Sequence, residues 1–324
     1  MKDEANSLQV YAIGVDVGGT KIHAGIANKQ GDVLYSVNLA TLAGEKKVPD
    51  RIVEAIEVLM AEAPKPEGGY SIQGIGIGTA GQVDQSDGSI RFASDILPGY
   101  TGVPLKRIIE KRFGLPVYVD NDVNVLVLTE KTLGAGRGAS HMLCIALGTG
   151  VGGAVFTGGK LVHGTWGGAG ELGHLSVDFN GLPCVCGGVG CLEQYASGTG
   201  IAKRMKAKLR SQGSQPSSAV DSREVLARWQ SGDPVATEVM DETFAALGAA
   251  IASLIHALNP EVIVIGGGVA EAGEPFFERV REETAKRCMK SFMENVSIVQ
   301  AHQGNYSGMI GAALQVFEGK HSDE

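Results

Sequence analysis

The sequence contains no long run of basic residues, and its formal net charge is −8 at pH 7. Proteins that bind nucleic acids through the phosphate backbone normally present clustered Lys and Arg side chains. The charge balance therefore argues against a nucleic-acid partner.

Features of membrane proteins and exported proteins are missing as well. No stretch approaches the ~20 consecutive apolar residues that a membrane-spanning helix requires. The most apolar run, residues 262–270, contains three glycines. The first six residues, MKDEAN, lack the apolar segment of a signal peptide. The sequence predicts a cytoplasmic protein that does not associate with membranes.

Cysteine is scarce and unevenly distributed. The chain has five cysteines, an odd number, and three of them lie between residues 184 and 191. This pattern favours reduced, metal-binding thiols over a disulfide framework.

Glycine, in contrast, is abundant. The 324 residues include 47 glycines, about twice the usual share of ~7%. Because proline is not enriched alongside it, we expect many tight turns in which the backbone approaches a ligand. The length is sufficient for two domains with substantial cores.

Hydrophobic periodicity predicts alternating strands and helices, which indicates an α/β fold. The clearest helix spans residues 234–258, where apolar side chains recur every three or four positions between Met240 and Leu258. Pro234 suits its first turn, and Asn259 followed by Pro260 ends it. Further helices are predicted at 48–62, 105–113, 198–211, 222–231 and 307–317, and strands at 10–16, 22–27, 33–39, 72–77, 117–119, 142–147, 151–156 and 262–265.

The first of three glycine turns separates two predicted strands. Its glycines, Gly18 and Gly19, would let backbone N–H groups approach an anion, and Thr20 and Lys21 add donors. The carboxylate of Asp16, at the end of the preceding strand, suits a hydrated Mg²⁺ ion. The alternative interpretation is a tight β-hairpin without a ligand.

The second turn, with Gly148, Thr149 and Gly150, has the same strand–turn–strand form about 130 residues later. It is neither a Walker loop nor a dinucleotide fingerprint, since no Gly-Lys-Ser/Thr and no helix follow the glycines. Two such phosphate loops suggest two similar domains that face one nucleotide.

The third turn, with Gly266, Gly267 and Gly268, lies between a strand and a helix. Small residues there would let an adenosine lie against the backbone. Glycine turns between a strand and a helix are common, so this signal is weak by itself.

A metal site is predicted by the spacing His-x9-Cys-x-Cys-x4-Cys, formed by His174, Cys184, Cys186 and Cys191. Three thiolates and one imidazole complete a tetrahedral zinc shell with no open position, which is typical of a structural site. The alternative is three buried thiols and an unrelated histidine.

A polar cluster follows the predicted strand at 117–119. Four of the five residues 120–124 are Asp or Asn, including Asn121 and Asp122. Ligands in α/β folds usually bind at the carboxyl ends of strands. A helix N-cap would explain one of these residues, but not four.

Together, the glycine turns and the cysteine loop resemble the sugar-kinase/actin-like ATPase superfamily and, within it, the ROK family (repressors, open reading frames and kinases), over residues of about 10–316. The resemblance implies two actin-like ATPase (ribonuclease H-like) α/β domains around a central cleft. We expect one domain at 1–122 plus 307–324 and a zinc-carrying domain at 123–306. It further implies ATP, Mg²⁺, structural zinc and a homodimer.

The implied activity is ATP-dependent phosphorylation of a hexose, with glucose favoured and the 6-hydroxyl as acceptor. By resemblance, Asp122 is the general base. The implied sugar ligands are Asn121, Glu171, His174, Glu193 and Gly81, the last in the Ala80-Gly81 pair that replaces the family's Pro-Gly turn.

Several alternatives stay open within this resemblance. N-acetylmannosamine, fructose, mannose and allose are other acceptors, and polyphosphate is another donor. The sequence departs from the family near Asp95, and Val123 replaces a usual alanine. Other functions are a sugar-responsive repressor, which the 15 residues before Asp16 disfavour, and a non-catalytic sugar sensor.

Overall fold

The computed structural model describes residues 8–64, 69–217, 219–302, 304 and 306–319. The chain divides into two compact units. The first contains residues up to Arg137, the segment Val162–Ala169 and the residues from His302 onward, and the second contains Gly138–Leu161 and Gly170–Ala301.

The first unit is built on a five-stranded sheet with the order β3-β2-β1-β4-β7. β1 pairs antiparallel with β2 and parallel with β4, and β4 pairs parallel with β7. Its apolar core includes Ile13, Val15, Ile75 and Ile77, which have no exposed surface. The elements are β1 (Gln9–Val17), β2 (Lys21–Ala27), β3 (Val33–Ala40), α1 (Val48–Glu62), β4 (Tyr70–Thr79), β5 (Gln82–Val83), β6 (Ile90–Phe92), α2 (Leu105–Phe113), β7 (Val117–Asn121), α3 (Asp122–Thr132) and the C-terminal helix Ser307–Gly319.

The second unit repeats this plan with the order β10-β9-β8-β11-β12. An antiparallel hairpin, β8–β9, again borders two parallel strands, β11 and β12. The repetition agrees with the prediction of two similar domains. The elements are β8 (Met142–Leu147), β9 (Val151–Thr157), β10 (Lys160–Leu161), α4 (Glu193–Ala196), α5 (Gly198–Ser211), α6 (Ser222–Gln230), α7 (Pro234–Leu258), β11 (Val262–Gly266), α8 (Glu274–Ala285), α9 (Lys290–Met293) and β12 (Ser297–Gln300).

The long helix α7 has the start and end that its sequence predicts. The Asp233 carboxylate accepts a hydrogen bond from the N–H of Ala236, and Pro234 occupies the first turn. Asn259 ends the helix in the left-handed conformation, with φ of 45°. These features satisfy backbone groups that a helix terminus otherwise leaves unpaired.

By length and composition, α7 is also apolar enough to cross a membrane, contrary to the expectation that no segment would be. However, 67% of its most apolar window is buried inside the protein. A helix that is apolar on most sides and packed within a domain is typical of a protein core. We therefore interpret α7 as the core helix of the second unit.

The bounds of the two units differ from those expected from the sequence. Helix α3 belongs to the first unit, because it packs against the C-terminal helix: the Thr129 hydroxyl donates to the Ser307 carbonyl at 2.6 Å. The first unit therefore extends to Arg137 rather than 122, and it also takes residues 162–169 and begins its last segment at His302. Residues 1–7, 65–68 and 320–324 of the expected first domain lie outside the described residues.

The C-terminal helix packs directly on the backbone of β1 and β4. A Cβ atom at Gly76 would lie 1.7 Å from the carbonyl oxygen of Ala312, and one at Gly14 would lie 1.9 Å from that of Met309. Both partners are backbone atoms in a helix, which cannot move aside cheaply. Glycine is therefore required at both strand positions.

We expect Gly76→Ala to lower the free energy of unfolding by at least about 2 kcal/mol, because the added methyl group overpacks a backbone contact. Ser71→Ala, at a half-buried position of the same strand, is the control and should change it by less than about 0.5 kcal/mol. Urea unfolding of both variants measures the difference. Equal stabilities would show that the helix does not lie this close to β4.

Candidate active site

The first glycine turn is a closed β-hairpin. The N–H of Gly18 donates to the Lys21 carbonyl at 2.9 Å, and the Thr41 hydroxyl donates to the Gly18 carbonyl at 2.7 Å. A side chain at Gly19 would collide with Ile96. Thr20 and Lys21 are exposed, so their donors are accessible to a ligand. The turn is therefore a tight β-hairpin, and Thr20 and Lys21 at its end still offer donors that an anion could reach.

Asp16 lies at the start of the C-terminal helix. A Cβ atom at Gly308, in the first turn of that helix, would lie 2.5 Å from Oδ2 of Asp16. Burial of the carboxylate, followed by the charge of Asp122, raises the pKa of Asp16 to about 7. A cation beside the carboxylate would counteract this rise in pKa and favour the ionised form.

Asn121 connects the end of β7 with the start of α3. Its Oδ1 accepts from the N–H of Val123 at 2.8 Å, so Asn121 is the N-cap of α3. Its Nδ2 donates to the carbonyl of Gly81 at 3.0 Å, which brings together two residues that were predicted from the sequence to contact the sugar. Asp122, the first residue of α3, follows directly. Val123 is buried.

Two functional candidates were not predicted from the sequence. The buried carboxylate of Asp120 accepts from the N–H of Asn121 and from Nδ2 of Asn124, both at 2.7 Å, and it lies 2.6 Å from Nε2 of His163. Burial alone would lower the pKa of His163, but the hydrogen bond and charge of Asp120 outweigh it and raise that pKa. Asp120 was visible as part of a polar run, whereas His163 belongs to no recognisable motif.

In the second unit, Glu193 is bonded to the second glycine turn. Its Oε2 accepts from the N–H of Val151 at 3.0 Å, and a Cβ atom at Gly150 would lie 2.5 Å from the same oxygen. The Gly148 carbonyl accepts from the N–H of Gly198, the first residue of α5, at 2.8 Å. The turn is therefore held by the elements that follow the cysteine loop.

The second and third glycine turns share one cavity of about 690 Å³ in the second unit, within the size range of small-molecule sites. Gly148 and Thr149 line it together with Gly268. Gly267 has φ of +89°, and a side chain there would collide with the backbone of Leu147. Cationic side chains also line the cavity, namely Lys203, Lys206, Arg210 and Arg223. Such a lining suits a ligand that carries phosphate groups.

The four predicted metal ligands converge. Nδ1 of His174 and the sulfur atoms of Cys184, Cys186 and Cys191 all lie within 4.8 Å of one another. The Cys186–Cys191 sulfur distance is 3.6 Å, and Cys184 Sγ lies 3.7 Å from His174 Nδ1. A tetrahedral ion with metal–sulfur bonds of ~2.3 Å requires ligand separations of ~3.8 Å. The group therefore fits a tetrahedral metal ion.

The electrostatics of this cluster also favour a cation. Burial, followed by interactions with the neighbouring thiols, raises the pKa of Cys191 to about 12. The N–H of Gly188 lies 3.4 Å from Cys186 Sγ and lowers the pKa of that thiol. Three thiolates in such proximity require a positive charge among them.

Glu171 precedes the short 3₁₀ turn Leu172–His174 and is exposed.

Comparison with known proteins gives consistent similarities across the chain. A family model described as "ROK family" matches residues 12–318. A glucokinase of Thermotoga maritima is 38% identical over 317 residues, which cover 94% of this chain and 97% of that protein. A ROK family glucokinase from Streptomyces griseus, solved with glucose and AMPPNP, is 33% identical with a TM-score of 0.79, and the alignment covers 95% of this chain and 99% of that one. A ROK hexokinase from Thermus thermophilus is 34% identical with a TM-score of 0.83, over 97% and 100% of the two chains.

The repeated sheets, the glycine turns and these structural neighbours define an actin-like ATPase fold. The protein is a sugar kinase. The chain belongs to the ROK family. The predictions of fold class, family and enzyme class are thus confirmed.

In magnesium-free buffer, the raised pKa of Asp16 predicts a loss of stability with rising pH. The folded state keeps a proton on Asp16 up to pH about 7, whereas the unfolded state loses it near the ordinary pKa of 3.8. The free energy of unfolding should therefore fall as the pH rises through this window. Asp16→Asn removes this titration. The free energy of unfolding of the variant, relative to that of the wild type, should therefore rise by a few kcal/mol as the pH increases to about 7, since one pKa unit is worth about 1.4 kcal/mol.

Urea unfolding of both proteins at pH 4.5, 6 and 8 measures this difference. A constant difference across the series would show that the Asp16 carboxylate titrates at its ordinary pKa.

Proposed function

We propose that this sugar kinase transfers the terminal phosphoryl group of ATP to the 6-hydroxyl of a hexose, with glucose as the first-choice acceptor. The observation that carries the proposal is the cation-lined cavity that joins two glycine turns in the second unit. The names of the relatives support the acceptor, since one is a glucokinase and another was solved with glucose and an ATP analogue.

ATP is assigned to this cavity. Thr149 and Gly150 would bind phosphate oxygens through backbone N–H groups and the Thr149 hydroxyl, while the N–H of Gly148 closes the turn on the Gly150 carbonyl. The third turn, Gly266–Gly268, has no side chains to prevent an adenosine from lying against its backbone. The lysines and arginines of the lining would offset the charge of the phosphates.

Magnesium is assigned to Asp16. A hard cation prefers carboxylate oxygens, and its charge would favour ionisation of a carboxyl group whose pKa is raised to about 7. Gly19, Thr20 and Lys21 would supply further donors to phosphate oxygens, while the N–H of Gly18 closes the turn on the Lys21 carbonyl. A bound Mg²⁺ would neutralise the charge that develops during phosphoryl transfer.

Asp122 is assigned as the general base. It would accept the proton of the attacking hydroxyl while the sugar oxygen bonds to phosphorus and the phosphorus–oxygen bond to ADP breaks. Asn121 would orient the sugar, because an amide has two donors and two acceptor sites. Only one of each is used by Gly81 and Val123. These two bonds hold the Asn121 amide next to Asp122, the proposed base.

Further sugar contacts are assigned to Glu171, His174 and Glu193. Oε2 of Glu193 accepts from Val151, so we assign its Oε1 to a sugar hydroxyl. His174 directs Nδ1 at the cysteines, which leaves Nε2 on the other side of the ring for the sugar. The metal would thus orient a substrate ligand as well as stabilise the loop.

Zinc is the metal that we assign to the cysteine cluster, because three thiolates and one imidazole with no open position are typical of structural zinc. We also propose a homodimer in the cytoplasm, without a nucleic-acid or membrane partner. The acidic net charge of −8 supports the absence of a nucleic-acid partner.

We expect Asp122→Asn to lower kcat by about 10²- to 10⁴-fold, the usual contribution of general acid–base catalysis, while glucose and ATP still bind. ATP consumption should be measured with Mg²⁺ over a panel of hexoses and N-acetylhexosamines. Asp50→Asn, an exposed aspartate in the first turn of α1, is the control and should match the wild type.

Turnover of a single sugar that disappears only in Asp122→Asn would fix both reaction and acceptor. If Asp122→Asn kept wild-type turnover, Asp122 would not be the base. Absence of turnover on every sugar in the folded wild type would favour another phosphoryl donor or a sugar sensor.

Purified protein should contain about one zinc ion per chain, measured by elemental analysis. Cys184→Ser should lose this metal and about 2–3 kcal/mol of stability, which lowers the Tm by roughly 4–12 °C. Its affinity for glucose should fall too, because His174 lies beside Cys184.

Cys288→Ser is the matched control, since Cys288 lies outside the cluster. It should retain zinc and the wild-type Tm. Full stability and glucose affinity in metal-free Cys184→Ser would rule out a structural role for the ion.

A further inference from the structure

We propose that His163 is a positioning residue for phosphoryl transfer, which acts through Asp120 to hold Asn121 and Asp122 in their working geometry. The inference rests on the proposed function, in which Asn121 contacts the sugar and Asp122 accepts its proton. His163 itself would touch neither the substrate nor the nucleotide.

Hydrogen bonds hold the carboxylate of Asp120 in place. This carboxylate is only 4% exposed, and its oxygens are engaged by three donors. Oδ1 accepts from the N–H of Asn121 and from Nδ2 of Asn124, and Oδ2 accepts from Nε2 of His163 at 2.6 Å. A buried carboxylate keeps its orientation only while such partners remain. Removal of the imidazole would therefore free Oδ2 to move and, with it, the bonds to α3.

The backbone of His163 is itself held by hydrogen bonds within its loop. The His163 carbonyl accepts from the N–H groups of Gly167 and Ala169 at 3.0 and 3.1 Å. The Trp166 carbonyl accepts from the N–H of Gln85 at 3.0 Å, and the Arg91 guanidinium lies 4.6 Å from the centre of the Trp166 ring. The loop thus fixes the histidine before any substrate binds.

The same loop also supports the other partner of Asn121. A side chain at Gly167 would lie 2.2 Å from the carbonyl oxygen of Val83, so the loop backbone packs closely on β5. β5 begins at Gln82, directly after Gly81, whose carbonyl accepts from Asn121. Asn121 is therefore supported by the loop from two directions, through Asp120 and through Gly81.

The chain then leads from this loop to the proposed sugar ligands of the second unit. Ala169 is the last residue of the segment that belongs to the first unit, and Glu171 follows two positions later. One short stretch of chain thus supports the residues around the base and precedes a sugar ligand. Because a displacement of about 1 Å can cost ~10²-fold in rate, loss of the histidine should be visible in the kinetics.

The test uses His163→Leu, which removes the donor, and His163→Gln, whose amide can place an N–H near the position of Nε2. The control is His141→Leu, because His141 makes a similar bond within the second unit, with Nδ1 2.6 Å from the Thr157 hydroxyl. Steady-state kinetics should be recorded with glucose and ATP–Mg²⁺ varied separately, together with the Tm.

We expect kcat/KM for glucose to fall roughly 10- to 100-fold in His163→Leu. The KM for ATP should change less than about twofold, because the residues that line the proposed ATP cavity belong neither to the His163 loop nor to the β7–α3 connection. His163→Gln should recover most of the loss, and His141→Leu should behave as the wild type. A purely structural role would lower the Tm without this separation between glucose and ATP, and that result would overturn the proposal.

Asp120→Asn provides a second test if His163→Leu does not fold. It should reproduce the same glucose-specific loss, since both residues act through one contact. Wild-type glucose kinetics in Asp120→Asn would overturn the proposal.

Asp122→Asn distinguishes a failure of this inference from a failure of the proposed function, in which Asp122 is the general base. Retained turnover in Asp122→Asn would overturn the assignment of the base and, with it, the role of His163. An inactive Asp122→Asn together with wild-type kinetics in His163→Leu would overturn the positioning role alone.

Discussion

The close approach of the C-terminal helix to β1 and β4 is the constraint on which the first unit depends. Side chains are absent at Gly14 and Gly76, so the helix lies on the strand backbones. This places Gly308, in its first turn, against the carboxylate of Asp16. The same helix holds α3 through the bond from Thr129 to Ser307, and α3 begins with Asp122. One packing contact therefore fixes the proposed metal ligand and the proposed base relative to each other.

In the second unit, the metal cluster plays a comparable part. Cys191 is two residues before Glu193, the first residue of α4, and Glu193 bonds the N–H of Val151 beside the second glycine turn. A metal ion that fixes Cys191 would thus also restrict the turn that lines the proposed nucleotide cavity. The second glycine turn, the proposed sugar ligand Glu193 and the proposed metal site are consequently linked through one series of bonds rather than independent of one another.

Features that depend on residues close together in the sequence were predicted correctly. The helices α1, α2, α5 and α7 and the three glycine turns follow from local spacing. Helix α8 was not predicted, because charged residues surround its few buried apolar ones, Phe276, Phe277 and Val280. The role of His163 was not predictable either, since Asp120 lies 43 positions away and only the folded chain brings them together. For the same reason, no local signal showed that residues 162–169 belong to the first unit.

The division of the chain has a consequence for its synthesis. The second unit is assembled from Gly138–Leu161 and Gly170–Ala301, all of which emerge before the C-terminal helix. The first unit, although its strands are made first, keeps the glycine surface of β1 and β4 uncovered until residues 307–319 have been translated. Domains generally fold as units during translation. The second unit can therefore complete its core at a stage when the C-terminal helix of the first unit has not yet been synthesised. A nascent chain stalled before residue 307 would therefore contain all of the residues of the second unit and an incomplete first one.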